Sequence, residues 1–209
     1  MTYEVREIAK KETHFLLLNV HYAKRIPPMS YAFGLYFGDV LKGVVTYGMP
    51  ASPSLCKGVC GEEWRKNVLE LNRLCLVDNL PNEASRLVGA SLKLLPSPTV
   101  VVSYADSSQR HIGFIYQATN FIYTGMTVKR TEWAVKGLEH MHTKAICNTV
   151  AKSCKPPLEA LKEMYGDRFY YRNRSQKYRY VFMVGNKREK KTLIDALRYS
   201  VLPYPKETL

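Results

Sequence analysis

The chain has 209 residues, 46% of them hydrophobic, and carries 31 Lys and Arg against 18 Asp and Glu, a formal charge of +13. That apolar content supports a real core and argues against global disorder, and the length suits one α/β domain with at most a modest appendage. No run approaches the roughly 18 apolar residues of a bilayer span, and Cys56, Cys60, Cys75, Cys147 and Cys154, odd in number and without a Cys-x-x-Cys pair, argue against a disulfide framework or zinc finger and for a reducing cytoplasm.

The charge excess favours a polyanionic partner: nucleic acid, an acidic membrane or a phosphate-rich cofactor. Simple solubility is the plainer reading. No repeat or low-complexity tract is visible, and Met1-Thr2-Tyr3-Glu4-Val5-Arg6 lacks the basic-then-apolar build of a signal peptide.

In chain order, residues 3–18 end in Phe15-Leu16-Leu17-Leu18 and read as a strand or short helix; Pro27-Pro28 then breaks any helix. Residues 31–37 and 41–48 are aromatic and β-branched around Gly38-Asp39, which predicts a hairpin. Residues 49–63, rich in Pro, Ser, Gly and Cys, read as a long loop. Val68 to Leu76 reads as a strand with polar residues in its middle, and Ser85 to Leu95 as a helix. Thr99 to Tyr104 has the continuous apolar run of a buried central or parallel strand. Ile112 to Thr119 reads as a helix, Phe121 to Thr124 as a strand, Val181 to Val184 as a short strand and 189–198 as a short helix.

Chemistry concentrates in four places. In the strand 68–76, simple alternation puts Glu70 and Asn72 on one side and Arg73 on the other, unless a bulge breaks the register. A buried Arg needs a carboxylate or a substrate anion, and Asp106, at the C-terminal end of the next strand where α/β ligands collect, is placed to serve it. A purely structural ion pair is the alternative.

The second place is Ile115-Tyr116-Gln117-Ala118-Thr119-Asn120-Phe121-Ile122-Tyr123-Thr124-Gly125. It is similar to the apolar-Tyr-x3-Gly-Phe-x3-Gly signature of the GNAT acyltransferase superfamily, with Asn120 in a position where Asn tolerates the left-handed conformation of the usual Gly. The order of elements over 68–125 matches that superfamily's catalytic half. The resemblance implies an α/β (α+β) fold with a mixed, mostly antiparallel central sheet flanked by helices. It gives Tyr116 the part of proton donor to the leaving group.

The third is the donor site that the resemblance places at the start of the helix after the polar strand, where free N–H groups and the helix dipole attract a pyrophosphate. Asn82-Glu83-Ala84-Ser85-Arg86 occupies it, with Ser85 as N-cap and Arg86 as phosphate partner. The usual glycines are absent and Glu83 opposes an anion, which counts against acyl-CoA as donor; an ordinary capped helix is the alternative. The fourth is the basic part at 165–209, with 11 Lys and Arg against 4 Asp and Glu. Arg172, Arg174, Lys177 and Arg179 interleave with tyrosines, and Lys187 and Arg188 follow. Cations for phosphates and rings for bases make this a nucleic-acid strip, with a solvated face as the alternative.

Taken together, Val20-His21-Tyr22-Ala23-Lys24-Arg25, Gly43-Val44-Val45-Thr46-Tyr47-Gly48 with Pro50-Ala51-Ser52-Pro53, Glu70-Leu71-Asn72-Arg73-Leu74, Val102-Ser103-Tyr104-Ala105-Asp106 and Ile115 to Asn120 resemble the Mom DNA-modification proteins of Mu-like phages and prophages. The resemblance covers most of the chain. It implies one GNAT-like domain with the basic part 165–209 as a nucleic-acid-binding extension, acting in the host cell cytoplasm on double-stranded DNA, with no membrane partner. The implied reaction turns adenine N6 into an N6-carbamoylmethyl derivative and shields phage DNA from host restriction. The implied functional residues are His21, Tyr22, Arg73, Ser91, Asp106 and Tyr116. The donor stays open between acyl-CoA and another activated group, iron enters as a candidate cofactor, and a monomer and a dimer both stay open.

Such chemistry is demanding, because the N6 lone pair is delocalised into the ring and a paired base must be extruded at a cost of a few kcal/mol. Asp106 is expected as base or orienter, Arg73 as the stabiliser of the donor's electron-rich side, and Tyr116 as the group that positions or protonates the leaving group. Two other readings stand beside this one: a conventional GNAT N-acyltransferase acting on a protein, RNA or small-molecule amine, and a non-catalytic DNA-binding protein on a transferase fold.

Overall fold

Aromatic and β-branched residues on either side of Gly38 pack well on a pleated surface, and the expected hairpin forms: β1 (Tyr3–Glu7) pairs antiparallel with β2 (Tyr31–Phe37), and β2 with β3 (Val40–Gly48). The computed structural model describes residues 2–109, 112–139, 141 and 143–206. In it α1 (Pro53–Cys60) leads to β4 (Val68–Leu76), which pairs antiparallel with β3. Helix α2 (Glu83–Leu94) then crosses over to β5 (Thr99–Asp106), and this gives a parallel β4–β5 pair. Helix α3 (Phe114–Ala118) and β6 (Ile122–Met126) follow.

Residues 127–176 form a second compact unit, inserted between Met126 at the end of β6 and Lys177. In it β7 (Arg130–Val135) precedes α4 (Thr143–Thr149) and α5 (Pro157–Tyr165), and β8 (Phe169–Arg174) returns to pair antiparallel with β7. Val135, Ile146, Val150 and Leu161 are its buried centre. The chain then re-enters the first unit as β9 (Lys177–Val184) and ends with α6 (Lys187–Asp195) and an extended tail.

The main sheet has the order β1-β2-β3-β4-β5-β9-β6. Its mixed, mostly antiparallel character agrees with expectation. Two details differ from it. The stretch 49–63 holds a helix, because Ser52 caps it, Pro53 is preorganised for its first turn, and Cys56, Val59 and Cys60 bury a stripe against the sheet. Strand β9 begins four residues before the expected Val181 and runs inside the sheet between β5 and β6. The basic stretch 165–209 is therefore shared between the units, with Phe169–Arg174 in the inserted one and Lys177 onward in the main one.

The two faces of the main sheet carry separate cores. Leu87, Val88 and Leu92 of α2 cover a face built from Phe33, Tyr47, Leu69, Leu71, Val101 and Tyr180. On the other face Val59 of α1 and Leu193 of α6 cover Val68, Val100, Val102, Val181 and Met183. Each such side chain contributes on the order of 1.5–3 kcal/mol on burial. Among the described residues no helix is long and apolar enough to cross a membrane.

Candidate active site

The site follows from two strands that part company. β4 and β5 are paired from Val68–Val100 to Glu70–Val102, yet β4 continues to Leu76 and β5 to Asp106. Beyond Glu70 they are no longer paired, and the unpaired stretch between them forms an opening, spanned at its start by Ser103 Oγ donating to the Leu71 carbonyl at 3.3 Å.

A bulge decides which side chains meet there. Thr46 pairs with Arg73 but Tyr47 pairs with Leu71, so Asn72 is the extra residue of β4. Its amide accepts from Thr46 Oγ1 at 2.6 Å and donates to the Pro28 carbonyl at 2.9 Å. Gly48 makes room, since a Cβ there would lie 2.2 Å from the Pro28 oxygen. Leu69, Leu71, Leu74 and Leu76 consequently face the α2 core, while Val68 and Cys75 face the opposite one. The bulge thus brings Arg73 round to the side of Glu70, the exception to simple alternation. The carboxylate whose field Arg73 feels is Glu70, whereas Asp106 accepts from the Ser108 amide and hydroxyl at 3.0 and 2.8 Å and lies 3.7 Å from Lys177 Nζ.

Arg73 is half-buried and donates to the Asn72 carbonyl. Its Nε is buried and hydrogen-bonded to nothing among the described residues. Desolvation first, then the like charge of Arg25, lowers the guanidinium's pKa. Such a group is made whole by an incoming anion or carbonyl.

Glu70 was not among the expected functional residues. Burial raises its carboxyl pKa, against the opposing pull of Lys177 and Arg73. Tyr104, on the same face of β5, has its phenol raised mainly by burial and further by Glu70. The polar mid-strand pattern drew attention to Glu70, but only the bulge and the divergence of the strands show that it borders an opening.

Tyr116 reaches the opening from the α3 side. Burial raises its hydroxyl's pKa, Ser103 nearby opposes the rise, and Tyr22 and Glu70 add to it. Its ring packs between Phe121 and Tyr180, with centroids 5.3 and 5.2 Å away. Gly113 permits this: it caps α3 at φ +88°, and a Cβ there would come within 2.6 Å of the Tyr180 ring and 3.1 Å of Tyr116. Asn120 takes φ +60°, the left-handed conformation expected of it.

His21 and Tyr22 follow the π-helical turn Leu16–Val20, which packs on Cys75 of β4. Both are within electrostatic reach of Arg73. Ser91 stands apart: it is fully buried on the inner face of α2, paired with the Tyr47 hydroxyl at 2.7 Å and donating to the Val88 carbonyl. It supports Tyr47, itself within electrostatic reach of Tyr116.

At the start of α2 the N-cap is Asn82 rather than the expected Ser85, which lies one turn in and donates to the Asn82 carbonyl. Glu83 does not confront an anion, because it is turned inward to accept from Tyr3 and the Leu80 amide. Ser85 and Arg86 line a groove of about 930 Å³ with Gly89, Lys93, Thr119 and Lys190 among its walls. Three cations and no carboxylate in that lining suit a phosphate-bearing group.

The expected DNA-contact residues have different settings. Arg174, Lys187 and Arg188 are exposed. Arg172 is bound to Glu132 at 2.8 Å and to the Glu139 carbonyl. Arg179 donates to Thr124 and lies 3.5 Å over the Tyr199 ring, and Lys177 stands beside Asp106. As for iron, no three His, Cys, Asp or Glu side chains among the described residues gather to hold a metal ion, and Nδ1 of His21 already accepts from the Ala23 amide. The described residues alone supply no set of side chains that fits a metal.

Residues 2–206 match the model of the Mom protein family. Over 194 residues the chain is 32% identical to the methylcarbamoylase Mom of Escherichia phage Mu, covering 89% of this chain and 76% of that protein. Among solved structures it is similar to Arabidopsis thaliana NAA60 in complex with a bisubstrate analogue, with TM-score 0.51 and 9% identity over 89% of this chain and all of that one. It is also similar to an N-acetyltransferase from Staphylococcus aureus Mu50, with TM-score 0.47 and 10% identity over 88% of this chain and 99% of that one.

Proposed function

This chain belongs to the Mom protein family, and from that premise we propose that it modifies DNA, converting adenine N6 to its N6-carbamoylmethyl form in the host cell cytoplasm and so protecting phage DNA from restriction. The observation that carries the reading is the opening between β4 and β5, where Arg73, whose Nε has no partner among the described residues, and the Tyr116 hydroxyl both interact electrostatically with a desolvated Glu70.

In the proposed step N6 forms a bond to the donor's activated carbon, the bond from that carbon to the leaving group breaks, and N6 gives up a proton. Glu70 is the better base, because its carboxylate is held less tightly than that of Asp106, whose oxygens serve Ser108 and Lys177. Asp106 is then the orienter of Lys177. Arg73 takes the electron-rich oxygen of the transferred group, and Tyr116 returns a proton to the leaving group as charge develops on it. The groove along α2 would hold a phosphate-bearing donor through Arg86, Lys93 and Lys190, with Ser85 beside them.

Nucleosides digested from plasmid DNA of cells expressing the chain are expected to contain N6-carbamoylmethyladenine by mass spectrometry. Unmodified adenine alone, in a host that supports the phage Mu protein, would refute the reading. Turnover of acetyl-CoA on free amines without a DNA product would instead favour the acyltransferase reading.

For DNA contact, exposed Arg174 in the inserted unit and exposed Lys187 and Arg188 in the main one are each the better phosphate partners, while Arg172 and Arg179 are engaged within their own units. Neutralising Arg174, Lys187 and Arg188 is expected to reduce the slope of log affinity against log salt by about 0.9 for each phosphate no longer neutralised. Neutralising Arg179 should leave the slope alone. An equal slope change from Arg179 would transfer the interface to β9.

A further inference from the structure

The turn after the π-helical segment carries an aromatic pair with no share in the core. Tyr22 is 74% exposed, yet its ring stacks on buried His21, with centroids 4.4 Å apart and planes at 27°. The mount is rigid. The His21 amide donates to the Leu16 carbonyl at 2.9 Å and so closes the π turn. The Ala23 amide donates to His21 Nδ1 at 3.0 Å, and the Lys24 amide to the His21 carbonyl at 3.0 Å. Lys24 itself is held at φ +41°, a backbone conformation that a lysine side chain disfavours and that persists only where the surroundings impose it. Burial keeps the imidazole neutral, with a pKa lowered to about 4, so the support is an uncharged aromatic face.

A rigid aromatic left in solvent is suited to stack on a flat ligand. Its position selects which one. Tyr22 lies within electrostatic reach of both Arg73 and Tyr116, and its segment packs on β4 through Leu16 and Cys75. The same segment exposes Phe15 and Val20 and continues into exposed Lys24 and Arg25. Rings interleaved with cations fit a base flanked by phosphates. A base extruded from a duplex loses its stacking partners, and an aromatic mount beside the reacting groups returns part of that loss.

We propose that the His21–Tyr22 stack is the platform on which the extruded adenine lies during transfer, with the outer face of Tyr22 against the purine. This rests on the reading of the chain as a DNA adenine-modifying enzyme. Tyr22 acts through its ring and not its hydroxyl.

The test is binding of the purified full-length chain to a duplex with a single bulged adenine and to the same duplex with an abasic site in the bulge. The adenine bulge is expected to bind about tenfold tighter, within the range of base–aromatic stacking. Tyr22→Ala should erase that preference while keeping wild-type affinity for the abasic duplex and a wild-type melting temperature. Tyr22→Phe and Tyr22→Trp should retain it, and in cells they should also retain adenine modification where Tyr22→Ala loses it. No preference in the wild type, a preserved preference in Tyr22→Ala, or equal losses in Tyr22→Phe and Tyr22→Ala would each overturn the platform. The two readings fail separately: modified adenine without a bulge preference removes the platform alone. A bulge preference without modified adenine removes the proposed reaction and leaves an adenine-binding platform.

Discussion

Arg73→Met is expected to lower adenine modification by about 10- to 150-fold while leaving the protein at least as stable as the wild type. The two halves of that outcome come from the same geometry. Arg73 is half-buried on the bulged strand, its Nε has no partner among the described residues, and Arg25 adds a like charge nearby. Its ionised form is therefore a cost to the fold, because desolvation is only partly offset by Glu70 and by the bond to the Asn72 carbonyl. Methionine keeps much of the apolar stem, which is the part that packs. For the reaction the same substitution removes the donor that meets the electron-rich oxygen of the transferred group. A charge-assisted hydrogen bond is worth about 1.5–3 kcal/mol, so removing one costs roughly 10- to 150-fold in rate. Arg73→Lys keeps the charge but not the Nε–H, and should fall between. The measurements are modified adenine by mass spectrometry and the thermal midpoint by calorimetry. A structural ion pair predicts the opposite on the second axis: removing one partner of a buried pair costs about 3–5 kcal/mol, so a clear drop in midpoint for Arg73→Met would convert Arg73 from a ligand-binding group to a structural one.

Much of the architecture could be seen in the chain because its elements obey local rules. The hairpin around Gly38, the strand Val68–Leu76 and the apolar strand that opens β5 follow from alternation, β-branching and turn residues. Helix α1 was hidden because Gly, Ser and Cys weaken helix propensity, and its buried stripe is only three residues wide. The start of β9 was hidden because Lys177, Tyr178 and Arg179 look like a solvated strip, although tertiary pairing with Asp106, Ala105 and Tyr104 makes them a sheet interior.

The candidate site shows the same division. Tyr116 and Arg73 were marked by motif and by polar residues in mid-strand, and both border the opening. Ser91 was implied as functional by the family resemblance, yet from the inner face of α2 it is hydrogen-bonded to Tyr47. Glu70 was visible as a polar strand residue, but its importance depends on Asn72 being the extra residue of a bulge, and one inserted residue reverses every side chain beyond it. That reversal depends on long-range partners, Thr46 and the Pro28 carbonyl, which no local pattern specifies.

Glu70→Gln is the second decisive substitution, because it separates catalysis from stability through pH. If Glu70 takes the N6 proton, its loss should lower the modification rate by about 10²- to 10⁴-fold, the usual worth of a positioned base. The wild-type rate should rise with pH through the raised pKa of Glu70, above the ordinary carboxylate range, since only the ionised form accepts a proton. Stability runs the other way. Burial makes the folded protein bind this proton more tightly than the unfolded chain does. The group's contribution to stability is therefore fully present below the ordinary pKa of about 4.3 and is lost as pH climbs through the raised folded value. At neutral pH the ionised carboxylate is a cost that the neutral, isosteric Gln does not carry. Glu70→Gln should accordingly melt above the wild type near neutrality, and that advantage should shrink as the pH falls into the carboxylate range. Asp106→Asn should behave differently, since the carboxylate there is bound by Ser108 and faces Lys177. It is expected to lose stability and to reduce the rate less. If Glu70→Gln stays within about threefold of the wild type while Asp106→Asn falls by about 10² or more, the base lies at the end of β5 and Glu70 is only its neighbour.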